Sequence, residues 1–129
     1  MGKSIFIVDD SEVVRDLLSQ IIRRLPNLDE VGHAGTANEA IDAIRRLKPA
    51  IVVLDISMPD GSGLQVLAAV KRENPPPIVM MLTNLAYERY REECRQLGAD
   101  YFFDKSTEFQ QAKEALIKLA DGSASVSGG

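Results

Sequence analysis

Ile51-Val-Val-Leu-Asp55-Ile-Ser57-Met-Pro59-Asp-Gly61-Ser-Gly63 decides how the chain folds. Four consecutive apolar residues, three of them β-branched, run without a polar break into an acidic residue and then into turn formers. A strand covered on both faces reads this way, with its carboxyl end opening onto a loop. Similar short apolar runs lie at Ile5 to Val8, Ile78 to Leu82 and Tyr101 to Phe103, and a weaker one at Glu30 to Ala34. That predicts five strands, with Glu30 to Ala34 at an edge because only Val31 is a good strand former there.

Helical periodicity fills the intervals. Val13, Val14, Leu17, Leu18, Ile21, Ile22 and Leu25 form one apolar stripe, and Ala40, Ile41, Ile44 and Leu47 a second that Pro49 stops. Leu64, Val66, Leu67 and Val70 mark a third helix, and Phe109, Ala112, Leu116 and Leu119 a fifth. Thr36 with Glu39, Ser62 with Gln65 and Thr107 with Gln110 are capping-box pairs expected at the starts of the second, third and fifth. The fourth runs through Tyr87, Tyr90, Cys94 and Leu97, with Gly98 as its left-handed closing residue and Cys94 in the core. The two tyrosines fit either the core or a partner-facing surface.

Strict alternation of strand and helix with short connections predicts an α/β fold: a three-layer, doubly wound (βα)5 arrangement on a five-stranded parallel sheet of order 2-1-3-4-5, the flavodoxin-like topology. The expected domain covers residues 1–120. Residues 121–129, small and polar, are expected to form a flexible tail.

Composition narrows the function. The chain has 129 residues, 45% of them hydrophobic, a formal net charge of −4 and a pI near 5.0. This is enough chain for one self-sufficient core, and the acidic balance argues against nucleic acid as the main partner. One cysteine permits no internal disulfide. The N-terminal apolar run is too short for a signal or a membrane span, so a cytoplasmic protein without membrane insertion is expected. His33 has no second histidine or cysteine at ligand spacing and is read as structural.

Ligands of open parallel sheets bind beyond the carboxyl ends of the strands. Asp9 and Asp10 follow the first strand, Asp55 the third, Thr83 the fourth and Lys105 the fifth. Taken singly, Asp9 and Asp10 suit a helix cap, Thr83 a turn and Lys105 a solvated loop. Their common placement outweighs those readings. Carboxylates about 4 Å apart repel by about 4 kcal/mol per pair at an effective dielectric of 20, which a divalent cation relieves. Hard oxygens on an open rim suit Mg2+, and Lys105 with Thr83 adds donors for a phosphoryl group. Asp55, at the sheet centre, is the expected nucleophile, forming an acyl phosphate.

The stretches Ile5-Phe-Ile-Val-Asp9-Asp10-Ser11, Val52-Val-Leu-Asp55-Ile-Ser-Met-Pro59-Asp-Gly61-Ser-Gly63, Met81-Leu-Thr83-Asn84 and Gly98-Ala-Asp-Tyr-Phe-Phe-Asp-Lys105 resemble the receiver domains of two-component response regulators, over residues 3–119. The resemblance implies Asp55 as phosphoacceptor, with Asp9, Asp10, Asp55 and the Ser57 backbone carbonyl as Mg2+ ligands. It implies Lys105 and Thr83 as phosphoryl contacts, and Thr83 with Phe102 as a switch acting on the face made by the fourth helix, fifth strand and fifth helix. The implied partners are a histidine kinase or phosphotransfer protein and a downstream protein target, the chain itself being a monomer or a phosphorylation-dependent dimer. It is expected to act as a phosphoacceptor with self-phosphorylation and self-dephosphorylation chemistry, not as an enzyme.

Three departures from the family pattern involve four residues: Ser106 where proline is frequent, Phe102 where tyrosine is frequent, and the pair Ser57 and Leu85, neither acidic nor amide. The alternatives are a Mg2+-dependent phosphohydrolase with an aspartyl nucleophile, which Ser57 in place of a second acid disfavours, and the receiver portion of a longer regulator. A flavin carrier is disfavoured by Asp9, Asp10 and Glu12 where a phosphate loop would lie.

Overall fold

A computed structural model describes residues 2–122. The main strands are β1 (Lys3–Val8), β2 (Leu28–Ala34), β3 (Ile51–Leu54), β4 (Ile78–Thr83) and β5 (Tyr101–Asp104). The helices are α1 (Glu12–Arg23), α2 (Ala37–Leu47), α3 (Gly63–Val70), α4 (Glu88–Gln96) and α5 (Phe109–Asp121). The strands form one parallel sheet in the order β2-β1-β3-β4-β5, as expected from the sequence. Ser57–Met58 and Gly61–Ser62 add a small antiparallel ribbon after β3.

Side chains alternate across the sheet. Phe6, Val8, Val52, Leu54, Val79 and Met81 pack beneath α2, α3 and α4, together with Ala40, Ile44, Leu67 and Cys94. Ile5, Ile7, Ile51, Val53, Met80 and Leu82 face α1 and α5, against Leu18, Ile22, Leu116 and Leu119. Both faces of β3 are covered, which is why its run has no polar break. Register places Val8 beside Leu54 and Leu54 beside Met81, so β1, β3 and β4 end at nearly one level.

Several boundaries differ from the sequence reading. β2 starts at Leu28, whose buried side chain anchors it, rather than at Glu30. In α1 the apolar stripe is wider than the buried face: Leu18 and Ile22 are buried, Leu17 is exposed and Val13 is 77% exposed, because the sheet covers only one narrow side of the helix. Thr36 caps α2 by accepting from the Glu39 N–H at 3.2 Å. The Ser62 and Gln65 box also forms, with Gln65 Oε1 accepting from the Ser62 N–H at 3.2 Å and Ser62 Oγ from the Leu64 N–H at 3.0 Å.

The Thr107 and Gln110 box does not form. Glu108 occupies the cap position of α5 without a side-chain cap, and its Oε1 accepts instead from the Asp104 N–H at 2.8 Å. Tyr87 precedes α4 and is 61% exposed, whereas Tyr90 packs partly on the core. Cys94 is buried and Gly98 takes φ +101°, both as expected. The Lys105–Ser106 bond is trans, the one cis bond among the described residues being Asn74–Pro75. α5 runs through Asp121 and Gly122 caps it. The remainder of the expected tail lies outside the described residues.

Candidate functional site

β1 and β3 are neighbours in the sheet, and each hands its chain directly to an acid: Asp9 after Val8, Asp55 after Leu54. Asp9 is 2% exposed and Asp55 5%. Asp10 is exposed, one residue further out. Each of the three offers a carboxylate oxygen lying within 4.8 Å of the others. Among the described residues this is the one acidic or histidine–cysteine group of metal-binding shape.

Lys105 enters from the loop after β5. Its Nζ donates to Asp9 Oδ2 and to Asp55 Oδ2, both at 2.8 Å. Burial alone would pull the ammonium down, but hydrogen bonds to Asp55 and Asp9 outweigh it and hold Lys105 above its ordinary value. Burial pushes the Asp9 carboxyl above its ordinary value, against the opposing pull of the Lys105 hydrogen bond. The remaining Asp9 oxygen accepts from the Ser11 N–H at 2.9 Å, and Asp55 Oδ1 accepts from the Ser57 N–H at 3.3 Å.

Three carboxylates and one ammonium sum to −2 when ionised. The donors are hard oxygens on a partly open rim, so the residues present fit a small divalent cation such as Mg2+. Asp9, Asp10 and Asp55 would hold it.

Thr83 ends β4 fully buried; its Oγ1 accepts from the Leu85 N–H at 3.1 Å, and its carbonyl accepts from the Lys105 N–H at 2.9 Å. The fifth-strand loop is therefore tied to the fourth. Phe102 is half-buried on the α2–α3–α4 side of the sheet, with the Arg91 guanidinium carbon 4.8 Å from its ring centroid. Arg91 also donates to Glu108 Oε1 at 3.1 Å, joining α4 to the start of α5. His33 lies exposed on β2 with no role in the acidic cluster.

Gly63 lets the helix after the acceptor loop approach the sheet. A Cβ there would overlap the Asp55 carbonyl, and the Gly63 N–H donates to the Ile56 carbonyl at 2.6 Å.

Three contributors escape a reading of the sequence. Arg15 Nη1 donates to the Asp9 carbonyl at 2.7 Å. Asp60 binds the N-terminus of α2. Arg91 caps the Phe102 ring. Arg15 and Arg91 lie off the apolar stripes of their helices and Asp60 sits in a turn, so nothing in the sequence separates them from ordinary solvated residues.

A doubly wound sheet whose strand ends gather three acids around one lysine defines a class of phosphoryl-handling signalling domain. The chain belongs to the response regulator receiver domain family, which it matches over residues 5–117. It is 39% identical over 105 residues to a protein-glutamate methylesterase/protein-glutamine glutaminase of Gluconobacter oxydans, a match covering 81% of this chain and 30% of that protein. The chain thus spans less than a third of that relative. The response regulator domain of Thermotoga maritima CheB superposes with a TM-score of 0.83 at 28% identity, covering 95% of this chain and 96% of that one. A CheX–CheY–BeF3–Mg2+ complex from Borrelia burgdorferi contains a chain similar at a TM-score of 0.75 and 25% identity, with 90% of each covered. No helix among the described residues is long and apolar enough to cross a membrane.

Proposed function

We propose that Asp55 is the phosphoacceptor of a cytoplasmic two-component pathway. An Asp55 oxygen attacks the phosphorus carried by a histidine kinase or phosphotransfer protein; the new P–O bond replaces the P–N bond, and the donor imidazole leaves. The observation that carries this reading is the Lys105 ammonium held at 2.8 Å from both Asp9 and Asp55, beside a cluster otherwise rich in negative charge. Asp9, Asp10, Asp55 and the Ser57 carbonyl are the proposed Mg2+ ligands. A cation held there would neutralise charge on the transferred phosphoryl oxygens.

Lys105 would exchange a carboxylate oxygen for a phosphoryl oxygen, and the Thr83 hydroxyl would release the Leu85 N–H to donate to another. Movement of Thr83 frees space beside Phe102, and the ring's new position alters the α4–β5–α5 face that controls a downstream protein. Arg91 contacts the Phe102 ring and the cap of α5 at once, which supports coupling across that face.

Incubation with acetyl phosphate and Mg2+, followed by intact mass measurement and borohydride trapping, tests the assignment. One phosphoryl group on Asp55, absent in Asp55→Asn, is expected. A stable adduct on another residue, or none under generous donor supply, overturns it.

A further inference from the structure

Asp9 and Asp55 sit at the ends of paired strands, and the sheet itself sets their separation. Asp10 and Ser57 do not share that support, because each lies on a loop beyond the last ladder bond between β1 and β3. The loop after Asp55 bonds mostly within itself, through the short ribbon, the Ser62 and Gln65 box and the Gly63 N–H to the Ile56 carbonyl. For residues 57–62, the hydrogen bonds that reach outside residues 55–65 come from Asp60. Asp60 Oδ1 accepts from the Ala37 N–H at 2.7 Å and Oδ2 from the Asn38 N–H at 3.1 Å, across 23 and 22 residues of sequence.

Those two donors are the first N–H groups of α2, already capped at its third by Thr36. An anionic carboxylate suits the positive end of the helix. The Ala37 N–H, and next the Asn38 N–H, hold the Asp60 carboxyl below its ordinary value. The segment just before α2 leans on the other acidic loop. The Ala34 carbonyl accepts from the Asp9 N–H at 3.1 Å, and a Cβ on Gly35 would lie 3.3 Å from Arg15 Nη1 and 3.8 Å from the Asp10 Cα. Gly61, next to Asp60, approaches closely enough that its Cβ would lie 3.8 Å from the Ala37 Cβ. Contacts therefore run from Asp9 and Asp10, through Gly35 and the start of α2, to Asp60 and back to Asp55.

We propose that Asp60 is a positioning residue for phosphoryl capture: its two-pronged hold on α2 fixes the loop after Asp55 against the loop that carries Asp9 and Asp10. The inference rests on the reading of Asp55 as acceptor. Groups that orient metal ligands from outside the coordination sphere typically change affinity or activity by tenfold or more when removed. A residue that merely stabilised the fold would not shift the Mg2+ concentration at which the native-like protein works.

The test compares initial rates of acetyl phosphate labelling across Mg2+ concentrations for the native protein and four variants. Asp60→Ala should need roughly tenfold more Mg2+ for half its maximal rate. Asp60→Asn, whose amide oxygen still accepts from Ala37, should stay within about threefold of native by the same scale. Ala37→Pro removes the shorter bond from the helix side, at a first-turn position where proline is tolerated, and should shift in the same direction as Asp60→Ala. Asp100→Ala is the stability control. Asp100 bonds Lys71 and the Val79 N–H, both at 2.8 Å, and none of the acidic cluster.

A native-like Mg2+ dependence in folded Asp60→Ala and Ala37→Pro overturns the proposal, as does an equal shift in Asp100→Ala. If the native protein takes no phosphoryl group at all, the acceptor reading fails and this inference falls with it. Native labelling with an unshifted Asp60→Ala sinks only the inference.

Discussion

Lys105 Nζ lies 2.8 Å from Asp55 Oδ2 across 50 residues of sequence, and the same nitrogen lies 2.8 Å from Asp9 Oδ2. One ammonium thus pairs with two almost fully buried carboxylates. Loss of one partner of a buried pair is costly chiefly because of the charge it strands.

Lys105→Met should lower stability by about 3 kcal/mol in Mg2+-free buffer. Millimolar Mg2+ should restore part of that loss, since a ligand that binds only the folded state stabilises it by mass action. Urea midpoints with and without Mg2+ check both statements, and an unchanged midpoint in metal-free buffer would show that the bridge contributes nothing. The Lys105 value is raised on folding, so its contribution is complete below the unfolded value near 10.5 and is lost as pH rises through the folded one. The gap between the native protein and Lys105→Met should close along that alkaline limb.

Metal affinity should fall on acidification earlier than an ordinary aspartate would dictate. Asp9 is held above its usual 3.8 by burial, against the pull of the Lys105 hydrogen bond, and as a proposed ligand it would have to shed its proton before its oxygens could coordinate. Calorimetric Mg2+ titrations from neutral pH downward should show weakening, with proton release, as pH drops through that raised value. An affinity flat down to 3.8 would contradict it.

Leu85 follows the Thr83 turn, half-buried against the α2–α3–α4 face, and presents no group that could orient water. The phosphorylated native protein should therefore lose its label more slowly than Leu85→Glu, by about tenfold, below the roughly hundredfold of a fully placed general base. Decay of the labelled species by intact mass decides the matter, and faster loss in the native protein refutes it.

Cys94 should be inert while the protein is folded. Burial, with a lesser effect from Glu93, pushes its thiol up to about 11, so almost no thiolate exists at neutral pH. A disulfide reagent at neutral pH should titrate it only after urea unfolding. Rapid reaction under native conditions would show that the α4 core opens.

Much of the site is legible in the amino-acid order because each key residue lies within two positions of the end of an apolar run, and parallel strands ending at one level bring such residues together. Asp9, Asp10, Asp55 and Lys105 are found this way, as are the burial of Cys94 and the caps at Thr36 and Ser62. The expected Thr107 cap fails because α5 begins one residue later, with Glu108 at the cap position and its carboxylate turned back to accept from the Asp104 N–H four residues earlier. Val13 belongs to the apolar stripe of α1 yet is exposed, because the sheet beneath covers too narrow a face.

Alternation of strand and helix, strand order and the identities of the acids were settled by local patterning, since burial on two faces demands unbroken apolar runs and turns demand their own residue types. Tertiary structure alone decided that one lysine would bridge two carboxylates, that Arg91 would lie over Phe102 and that Asp60 would grip the start of α2. Those contacts join charged side chains to groups far away in the chain, and a charge in a turn or on a helix surface has the same local pattern whether it meets water or a partner. Only packing brings the partner within reach.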